Sequence, residues 1–282
     1  MKEFYLQKLP KWYKNDSESD LVLSDDLDSL ITVNVLQKVK KNWSVKYFYD
    51  FKGVYISPEI YFKEYKAQNR IWCDVSVVNG ERCFDNHVNR LNSNDYINPN
   101  AINPNLITNV TNRNYTDKYC GSSALLAWSI YNLPLPKSEE GKMLLLAIDS
   151  TFLGYYSDKF RSRNRFYLCD VLGLEELYAV EQRHSKQDFF NIIDKYEIKQ
   201  KISYNNENKQ LETDLDYRTI GRVLEMDLDF PETKFEVWRI LKTCQGDVSN
   251  FNNIRDLNKR LVTIAFTRRN IAKGSILVPK SK

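Results

Sequence analysis

The stretch DLVLSDDLDSLITVNVLQKVKK, residues 20–41, decides the fold. Its opening residues, DLVLS, are mostly apolar and predict a short buried strand. After the acidic loop DDLDS, apolar residues recur every three or four positions from Leu30 to Val39, which is the spacing of a helix. Asp28 and Ser29 stand where the N-cap of that helix is expected. The stretch therefore predicts a strand, a tight acidic loop and a helix.

A second apolar stretch, VKYFYDF at 45–51, predicts another strand directly after this helix. A strand, a helix and a strand in succession are typical of a right-handed βαβ unit with parallel strands. The sequence therefore predicts an α/β fold, with a parallel β-sheet flanked by helices and a smaller C-terminal α+β region. Further strands are expected at 70–78, 82–88, 234–244 and 260–267. Further helices are expected at 58–66, 122–133, 138–156, 160–182 and 188–196. A long loop is expected at 92–118, and a charged linker or exposed insertion at 196–230.

Composition restricts the classes of function. The chain has 282 residues, of which 42% are apolar and 28% charged, as in an ordinary globular protein. The net charge of +4 is too small to indicate nucleic-acid binding by itself. Frequent Asn, Lys and Tyr suggest an AT-rich genome of bacterial or phage origin.

Neither the cysteines nor the N-terminal residues indicate an exported or membrane protein. Five widely spaced cysteines without a Cys-x-x-Cys pair predict reduced, mostly buried thiols rather than a disulfide framework or a zinc site. The polar N-terminal stretch lacks the apolar segment of a signal peptide, and no apolar run reaches the ~18 residues of a membrane span. We therefore expect a cytoplasmic protein with no membrane partner. His87 and His184, the two histidines of the chain, leave few ways to build a histidine-rich metal site or a Ser-His-Asp triad.

Acidic residues follow several of the predicted strands or lie beside them. In an open parallel sheet, the loops at the carboxyl ends of the strands meet at one crevice. Carboxylates brought together there repel one another, and bound cations remove that cost. Two divalent ions can hold a phosphoryl oxygen and lower the pKa of a water molecule, and oxygen-rich ligation suits Mn²⁺ or Mg²⁺ better than Zn²⁺. The carboxylates in question are Asp25, Asp26, Asp28, Asp74, Asp85 beside His87, and Asp149. Each of them alone is equally well explained as a helix cap or a surface residue.

The order of these motifs resembles that of the DHH phosphoesterase superfamily. Strand–DDLDS–helix, then CDVSV, CFDNHVN, a serine-capped helix and LLLAIDSTF follow one another over roughly residues 18–157. The superfamily includes single-strand exonucleases, short-oligonucleotide and cyclic-dinucleotide phosphodiesterases, and manganese-dependent pyrophosphatases. The resemblance implies a Rossmann-type fold and two Mn²⁺ or Mg²⁺ ions. It also implies a DHH-like metal-binding catalytic domain at 20–194, after an N-terminal extension at 1–19 and before a smaller, substrate-binding region at 195–282.

The resemblance also implies a role for each acidic residue. Asp26 and Asp28 would each bind one metal ion, Asp74 would bridge the two ions, and Asp149 would complete a coordination sphere. Asp85 would orient the neighbouring ligand, and His87 would lie near the substrate phosphate as the last member of the triplet.

Two positions depart from the family pattern. The triplet reads Asp85-Asn86-His87, so that Asn86 replaces a metal-binding histidine and offers only an amide oxygen. Val22 stands where many members have a further histidine, and Asp25 is a possible substitute ligand. A site with fewer imidazoles is expected to bind metal less tightly and to prefer Mg²⁺, or to be degenerate.

Two basic clusters are candidates for binding substrate. Arg161 and Arg163 follow the Asp149 helix and lie among aromatic residues, a combination that suits single-stranded nucleic acid. Arg268, Arg269 and Lys273 lie in FTRRNIAKGSILVPK near the C-terminal end of the sequence and are suited to binding a phosphate. Solvated helix or strand ends explain both clusters equally well.

The sequence thus predicts a divalent-metal-dependent phosphodiesterase that hydrolyses short oligonucleotides, single-stranded nucleic acid or cyclic nucleotides, with exonuclease action as one candidate mode. The alternative in the same chemistry is an inorganic pyrophosphatase or polyphosphatase. The alternative from another class is a degenerate protein that binds a nucleotide or a protein partner without catalysis.

Overall fold

The computed structural model describes residues 1–61, 69–250 and 260–279. Its strands are β1 (Ser19–Leu23), β2 (Trp43–Tyr49), β3 (Gly53–Ile56), β4 (Arg70–Cys73), β5 (Arg82–Phe84), β6 (Ala101–Ile102), β7 (Ile202–Tyr204), β8 (Leu211–Thr213), β9 (Glu236–Asp247), β10 (Leu261–Arg268) and β11 (Ile271–Leu277). Its α-helices are α1 (Glu3–Leu6), α2 (Leu27–Val39), α3 (Pro58–Tyr61), α4 (Pro104–Ile107), α5 (Ser123–Ile130), α6 (Glu139–Ala147), α7 (Arg161–Arg165), α8 (Glu175–Arg183), α9 (Lys186–Lys195) and α10 (Tyr217–Val223).

Within the described residues, nine strands form one mixed sheet in the order β10-β11-β9-β3-β2-β1-β4-β5-β6. The five strands from β2 to β6 at one end of this order are parallel to one another. The other four are antiparallel to their neighbours. The predicted α/β class is confirmed, and β1, α2 and β2 form the expected parallel strand–helix–strand unit. The prediction of a purely parallel sheet holds for only part of the sheet.

Alternating side chains of the parallel strands fill two apolar layers. Leu21 and Leu23 of β1 pack into the larger layer, which the helices α2, α5, α6, α8 and α9 cover. Val22, between them, faces the opposite layer together with Tyr47 and Trp72. Because both faces of β1 are buried, its run of apolar residues is that of a central parallel strand.

Helix α2 begins earlier than the sequence predicts. Its N-cap is Asp26, whose side chain accepts a hydrogen bond from the Ser29 N–H (3.2 Å), and not Asp28 or Ser29. Ser122 and Ser138 cap α5 and α6, as expected from the sequence. The helix predicted at 138–156 ends at Ala147, because the backbone turns into the left-handed region at Asp149 and Ser150.

Three other local predictions also need correction or lie outside the described residues. The loop predicted at 92–118 contains β6, α4 and a 3₁₀ helix at Asn112–Asp117. The insertion predicted at 196–230 contains the β7–β8 hairpin and α10. The helix predicted at 58–66 is seen as α3, and its remainder lies outside the described residues. All five cysteines are free, and three of them are buried, as predicted.

The strands of the C-terminal region continue the sheet of the preceding region. β9 pairs with β3, so β9, β10 and β11 extend the same sheet. The N-terminal residues also pack on this body, where the Trp12 indole N–H donates to the Asn100 carbonyl (2.9 Å). The predicted division at residues 19/20 and 194/195 stays a prediction. Within the described ranges, no helix is both long and apolar enough to cross a membrane.

Candidate functional site

The acidic residues lie at a topological switch point of the sheet. Among the parallel strands, β1 lies between β2, which follows it in the chain, and β4. Open α/β sheets bind ligands outside the carboxyl ends of strands at such a point. Asp25 and Asp26 follow β1, Asp74 follows β4 and Asp85 follows β5. The sheet therefore places four predicted carboxylates at the position where a ligand is expected.

Asp25 and Asp26 share one lysine. The Lys201 ammonium lies 3.4 Å from Asp25 Oδ1 and 3.2 Å from Asp26 Oδ2. Burial and the neighbouring Asp26 raise the pKa of Asp25, and Lys201 opposes this effect. Lys201 is separated from the two aspartates by more than 170 residues, so no spacing in the sequence indicates this contact.

Asp28 lies buried against the start of α5. The backbone N–H groups of Ser123 and Ala124 donate to its two carboxylate oxygens, at 2.8 and 2.7 Å. Burial, and then the charges of Asp149 and Asp26, raise the pKa of Asp28 to about 8, although the two backbone hydrogen bonds act in the opposite direction. Burial and the neighbouring carboxylates therefore favour the protonated form of Asp28 at neutral pH.

Asp74 is held in a strained backbone conformation beside Asp28. Its φ of 59° lies in the left-handed region, which is uncommon for residues other than glycine. The Ser123 hydroxyl donates to Asp74 Oδ1 (2.9 Å), so Ser123 contacts both Asp28 and Asp74. Burial, followed by the charges of Asp28, Asp26 and Asp149, raises the pKa of Asp74 well above its ordinary value.

Asp149 belongs to the same cluster and lies two residues after the C-terminal end of α6. Asp149 and Ser150 have φ values of 49° and 55°, which end the helix and mark a second strained position. The Asn86 Nδ2 amide donates to Asp149 Oδ2 (2.9 Å). Burial raises the pKa of Asp149 to about 6. His87 opposes this shift, and Asp26 adds to it.

Asp85 fixes the orientation of His87. It is fully buried and accepts hydrogen bonds from His87 N (2.9 Å), His87 Nδ1 (2.8 Å) and Asn103 Nδ2 (2.7 Å). This contact leaves Nε2 as the ring nitrogen available to a ligand. Burial lowers the pKa of His87, but the hydrogen bond and charge of Asp85 outweigh burial, so the net effect is to raise it.

The buried amide of Asn86 bears on whether a metal ion fits this site. Asn86 is only 7% exposed, and its Nδ2 group donates to Gly121 O (3.0 Å) and to Asp149. Its Oδ1 atom has no hydrogen-bond partner among the described residues. A buried oxygen without a donor is costly unless something binds it, and an amide oxygen is an acceptable ligand for Mg²⁺ or Mn²⁺. Asn86, Asp28, Asp74 and Asp149 thus offer an oxygen-rich set of donor atoms, of the chemical kind that a divalent cation binds.

The cluster opens onto a cavity of about 250 Å³. One wall of the cavity is formed by Asp26 and Asp28, another by Asp149 and Ser150, and Lys199 and Lys201 line the remaining side. Over the described ranges, no three side chains of His, Cys, Asp or Glu stand in an arrangement that could hold a metal ion as they are placed. A bound ion would therefore require these side chains to move closer together.

Three residues of the site were not anticipated from the sequence, in addition to Lys201. Ser123 and Asn103 donate to the aspartates described above. Lys118 is largely buried and donates to the Tyr115 hydroxyl (3.2 Å), and its charge affects the pKa values of His87 and Asp149. Of these residues, only Ser123 was recognisable in the sequence as a candidate for the site, since it lies at the start of a predicted helix.

The predicted substrate-binding residues are distributed over two surfaces. Arg161 donates to the Tyr155 carbonyl (2.8 Å), and Arg163 pairs with Asp117 (3.0 Å), next to Lys118. Lys273 lies over the ring of Phe51, 4.4 Å from its centroid.

Arg268 and Arg269 are exposed at the β10–β11 turn. Phe266 N, near the end of β10, donates to the carbonyl of Val88, the residue after His87 (2.8 Å). This contact brings the end of β10 next to the His87 segment. The described contacts of Arg161 and Lys273 do not include the acidic cluster.

Comparisons with known proteins give no identification of the chain. The scan against protein-family models found no match, and neither did the comparisons with curated proteins and with solved structures.

Proposed function

We propose that this protein is a divalent-metal-dependent phosphodiesterase that hydrolyses short oligonucleotides, single-stranded nucleic acid or cyclic nucleotides. One observation supports this proposal above all others. At the switch point of the sheet, the charge of Asp149 raises the pKa of the buried Asp28, and the charges of Asp28 and Asp149 both raise the pKa of Asp74. Such an arrangement destabilises a fold that binds no cation, and perturbed carboxyls of this kind concentrate at functional sites.

The proposed cation ligands come from four segments of the chain. Asp28, Asp74, Asp149 and the Asn86 amide oxygen would hold Mn²⁺ or Mg²⁺, with Asp26 and Asp25 at the edge of the site. A divalent ion there would supply Lewis-acid stabilisation of the phosphoryl oxygens and a water of lowered pKa. Ser123 positions Asp74, and the start of α5 positions Asp28, so the ligands are anchored by rigid elements.

His87 and Lys118 provide the positive charge that a phosphate needs. Asp85 holds His87 through Nδ1 and favours its protonated form, so Nε2–H can donate to a phosphate oxygen or pass a proton to the leaving oxygen. The ammonium of Lys118 is near enough to influence His87. Arg163, which pairs with Asp117 next to Lys118, and the two exposed arginines of the β10–β11 turn are the proposed partners for further phosphates of an oligonucleotide.

One observation favours a non-catalytic binding protein as the second candidate. Lys201 neutralises Asp25 and Asp26, and the α5 N–H groups satisfy Asp28, so part of the acidic cluster is already compensated by groups of the chain itself. Such a protein would bind a nucleotide or a protein partner without turnover.

A substrate panel tests the proposal. Wild type, Asp74→Asn and the control Asp194→Asn, an exposed aspartate on α9, would be incubated with Mn²⁺ or Mg²⁺. Substrates would be dinucleotides, cyclic dinucleotides, labelled single-stranded DNA and RNA, and pyrophosphate. We expect wild type and Asp194→Asn to cleave a nucleotide substrate and Asp74→Asn to lose this activity by about 10²-fold or more. Cleavage of pyrophosphate alone would favour the pyrophosphatase alternative, and no cleavage with either metal would favour the binding protein.

A further inference from the structure

The position of Lys201 bears on how many ions the site binds. Its ammonium lies within 3.4 Å of both carboxylates that directly follow β1. A two-ion phosphoesterase would need these carboxylates for one of its two ions. A lysine ammonium and a divalent cation cannot occupy the same space between Asp25 and Asp26, so the two compete for this position.

Backbone contacts hold Lys201 in this place. Ile202, the next residue, is buried, and its N–H donates to the Asp25 carbonyl (2.9 Å). The Thr213 hydroxyl, on the partner strand of the β7–β8 hairpin, donates to the Lys201 carbonyl (3.1 Å). The contact between Lys201 and the aspartates therefore follows from the way the hairpin docks on the β1–α2 loop.

In the other half of the cluster, no side chain within the described ranges forms an ion pair with the aspartates. In the parts of the chain that the structure describes, none of the ion pairs involves Asp28, Asp74 or Asp149. Asn86, which donates to Asp149, has an unpartnered Oδ1 atom and is more than nine-tenths buried. This amide oxygen is an observation independent of the carboxylates, and it indicates a ligand in this half of the cluster.

We propose that the Lys201 ammonium takes the place of one of the two cations, so that the chain binds a single divalent ion, at Asp28, Asp74, Asp149 and Asn86. The inference rests on the cation site of the proposed function and sets its stoichiometry at one ion, in place of the two ions that the resemblance implies. The positive charge that a second ion would supply at Asp25 and Asp26 is then a fixed part of the polypeptide.

Counting bound Mn²⁺ tests the inference without any assay of turnover. Isothermal titration calorimetry, checked by the electron paramagnetic resonance signal of free Mn²⁺, gives the number of ions per chain. We expect one ion for wild type. We expect two ions for Lys201→Met, which keeps the apolar stem but frees Asp25 and Asp26. Lys199→Met, at an exposed lysine that lines the same cavity, is the matched control and is expected to bind one ion.

The possible outcomes separate this inference from the proposed function. Two ions bound by wild type, or one ion bound by folded Lys201→Met, would overturn the inference and leave the metal-dependent phosphodiesterase standing. No ion bound by wild type would overturn both. Lys201→Gln removes the charge but keeps a polar side chain and is expected to bind two ions, so it keeps the test decisive if Lys201→Met fails to fold by circular dichroism.

Discussion

Replacing Asp85 with asparagine tests how the chain positions His87. Asparagine has nearly the shape of aspartate, so the change removes the charge and one acceptor oxygen without creating a cavity. The new amide group would face the Asn103 Nδ2 donor, which lies 2.7 Å from the Asp85 carboxylate in the wild type. Asn103 cannot simply turn over, because its own Oδ1 accepts a hydrogen bond from Asn105 N (2.8 Å) at the start of α4.

The contacts of Asp85 set the size of the effect. The charge-assisted bond from Asn103 is lost, which costs about 1.5–3 kcal/mol. The two bonds from His87 become neutral and each weakens by roughly 0.5–1 kcal/mol. Removing a buried charge offsets part of this loss. We therefore expect Asp85→Asn to lower the free energy of unfolding by about 3 kcal/mol, measured by urea denaturation at pH 6.

The same substitution should also lower the pKa of His87. In the wild type Asp85 keeps this pKa above the ordinary value of 6.5, despite burial. A folded-state pKa above the unfolded one contributes stability that is fully present below pH 6.5 and disappears as the pH rises through the folded pKa. Without the charge of Asp85 this contribution disappears, so the stability difference between wild type and variant should shrink above that pKa.

Nuclear magnetic resonance can follow the titration directly, since the chain has two histidines and His184→Gln identifies the other signal. Asp95→Asn is the control, because Asp95 is also buried and accepts backbone hydrogen bonds, from Leu91 and Asn92, but lies outside the site. It should lose stability and leave the pKa of His87 unchanged. An unchanged His87 pKa in Asp85→Asn, with a stability loss under ~1 kcal/mol, would mean that Asp85 does not hold and charge His87.

Three further substitutions test other parts of the account. Burial raises the pKa of Glu181 from 4.5 to about 9, so the free energy of unfolding falls as the pH rises between these values. In urea denaturation, the free energy of unfolding of Glu181→Gln should therefore exceed that of wild type by about 2–3 kcal/mol at pH 7 and equal it at pH 4. Equal stability of the two proteins at both pH values would contradict this. Ser123→Ala removes the hydroxyl that donates to Asp74 and should weaken Mn²⁺ binding by about tenfold in calorimetry. Unchanged affinity would mean that Asp74 is not positioned by Ser123. Lys118→Met should raise the KM for a nucleotide substrate by about tenfold, roughly 1.4 kcal/mol, with a smaller effect on kcat. An unaltered KM would mean that Lys118 does not contact the phosphate of the substrate.

The sequence predicted the parts of the fold that local patterns specify. Strand β1, the acidic loop and α2 follow from apolar spacing, and the serine caps of α5 and α6 follow from their hydrogen-bonding chemistry. Short elements were missed, since β6 has two residues and α4 has four, too few for any period to show. The end of α6 was missed as well, because the left-handed conformations of Asp149 and Ser150 have no signature in a non-glycine sequence.

The strand-end aspartates of the candidate site were predictable from fold geometry, whereas Asp28, Asn86, His87 and Asp149 were named from the order of the motifs. Asp26, Asp74 and Asp85 were identifiable because parallel strands deliver their carboxyl ends to one edge of the sheet. Lys201 was not identifiable, because its contact with Asp26 depends on how the β7–β8 hairpin docks on the rest of the fold. No spacing of residues in the sequence indicates this docking. The mixed end of the sheet was missed for the same reason: pairing of β3 with β9 joins segments that are distant in the chain.

The proposed function and the inferred single ion both require a cation site. Cation binding is therefore the first property to measure. Thermal unfolding would be followed with and without Mn²⁺ for wild type, Asp74→Asn and the control Asp194→Asn. A cation that binds only the folded state stabilises it by ~2.7 kcal/mol at a hundredfold excess over its dissociation constant. We expect this stabilisation for wild type and Asp194→Asn and none for Asp74→Asn. No shift in wild type, or the same shift in all three proteins, would contradict it.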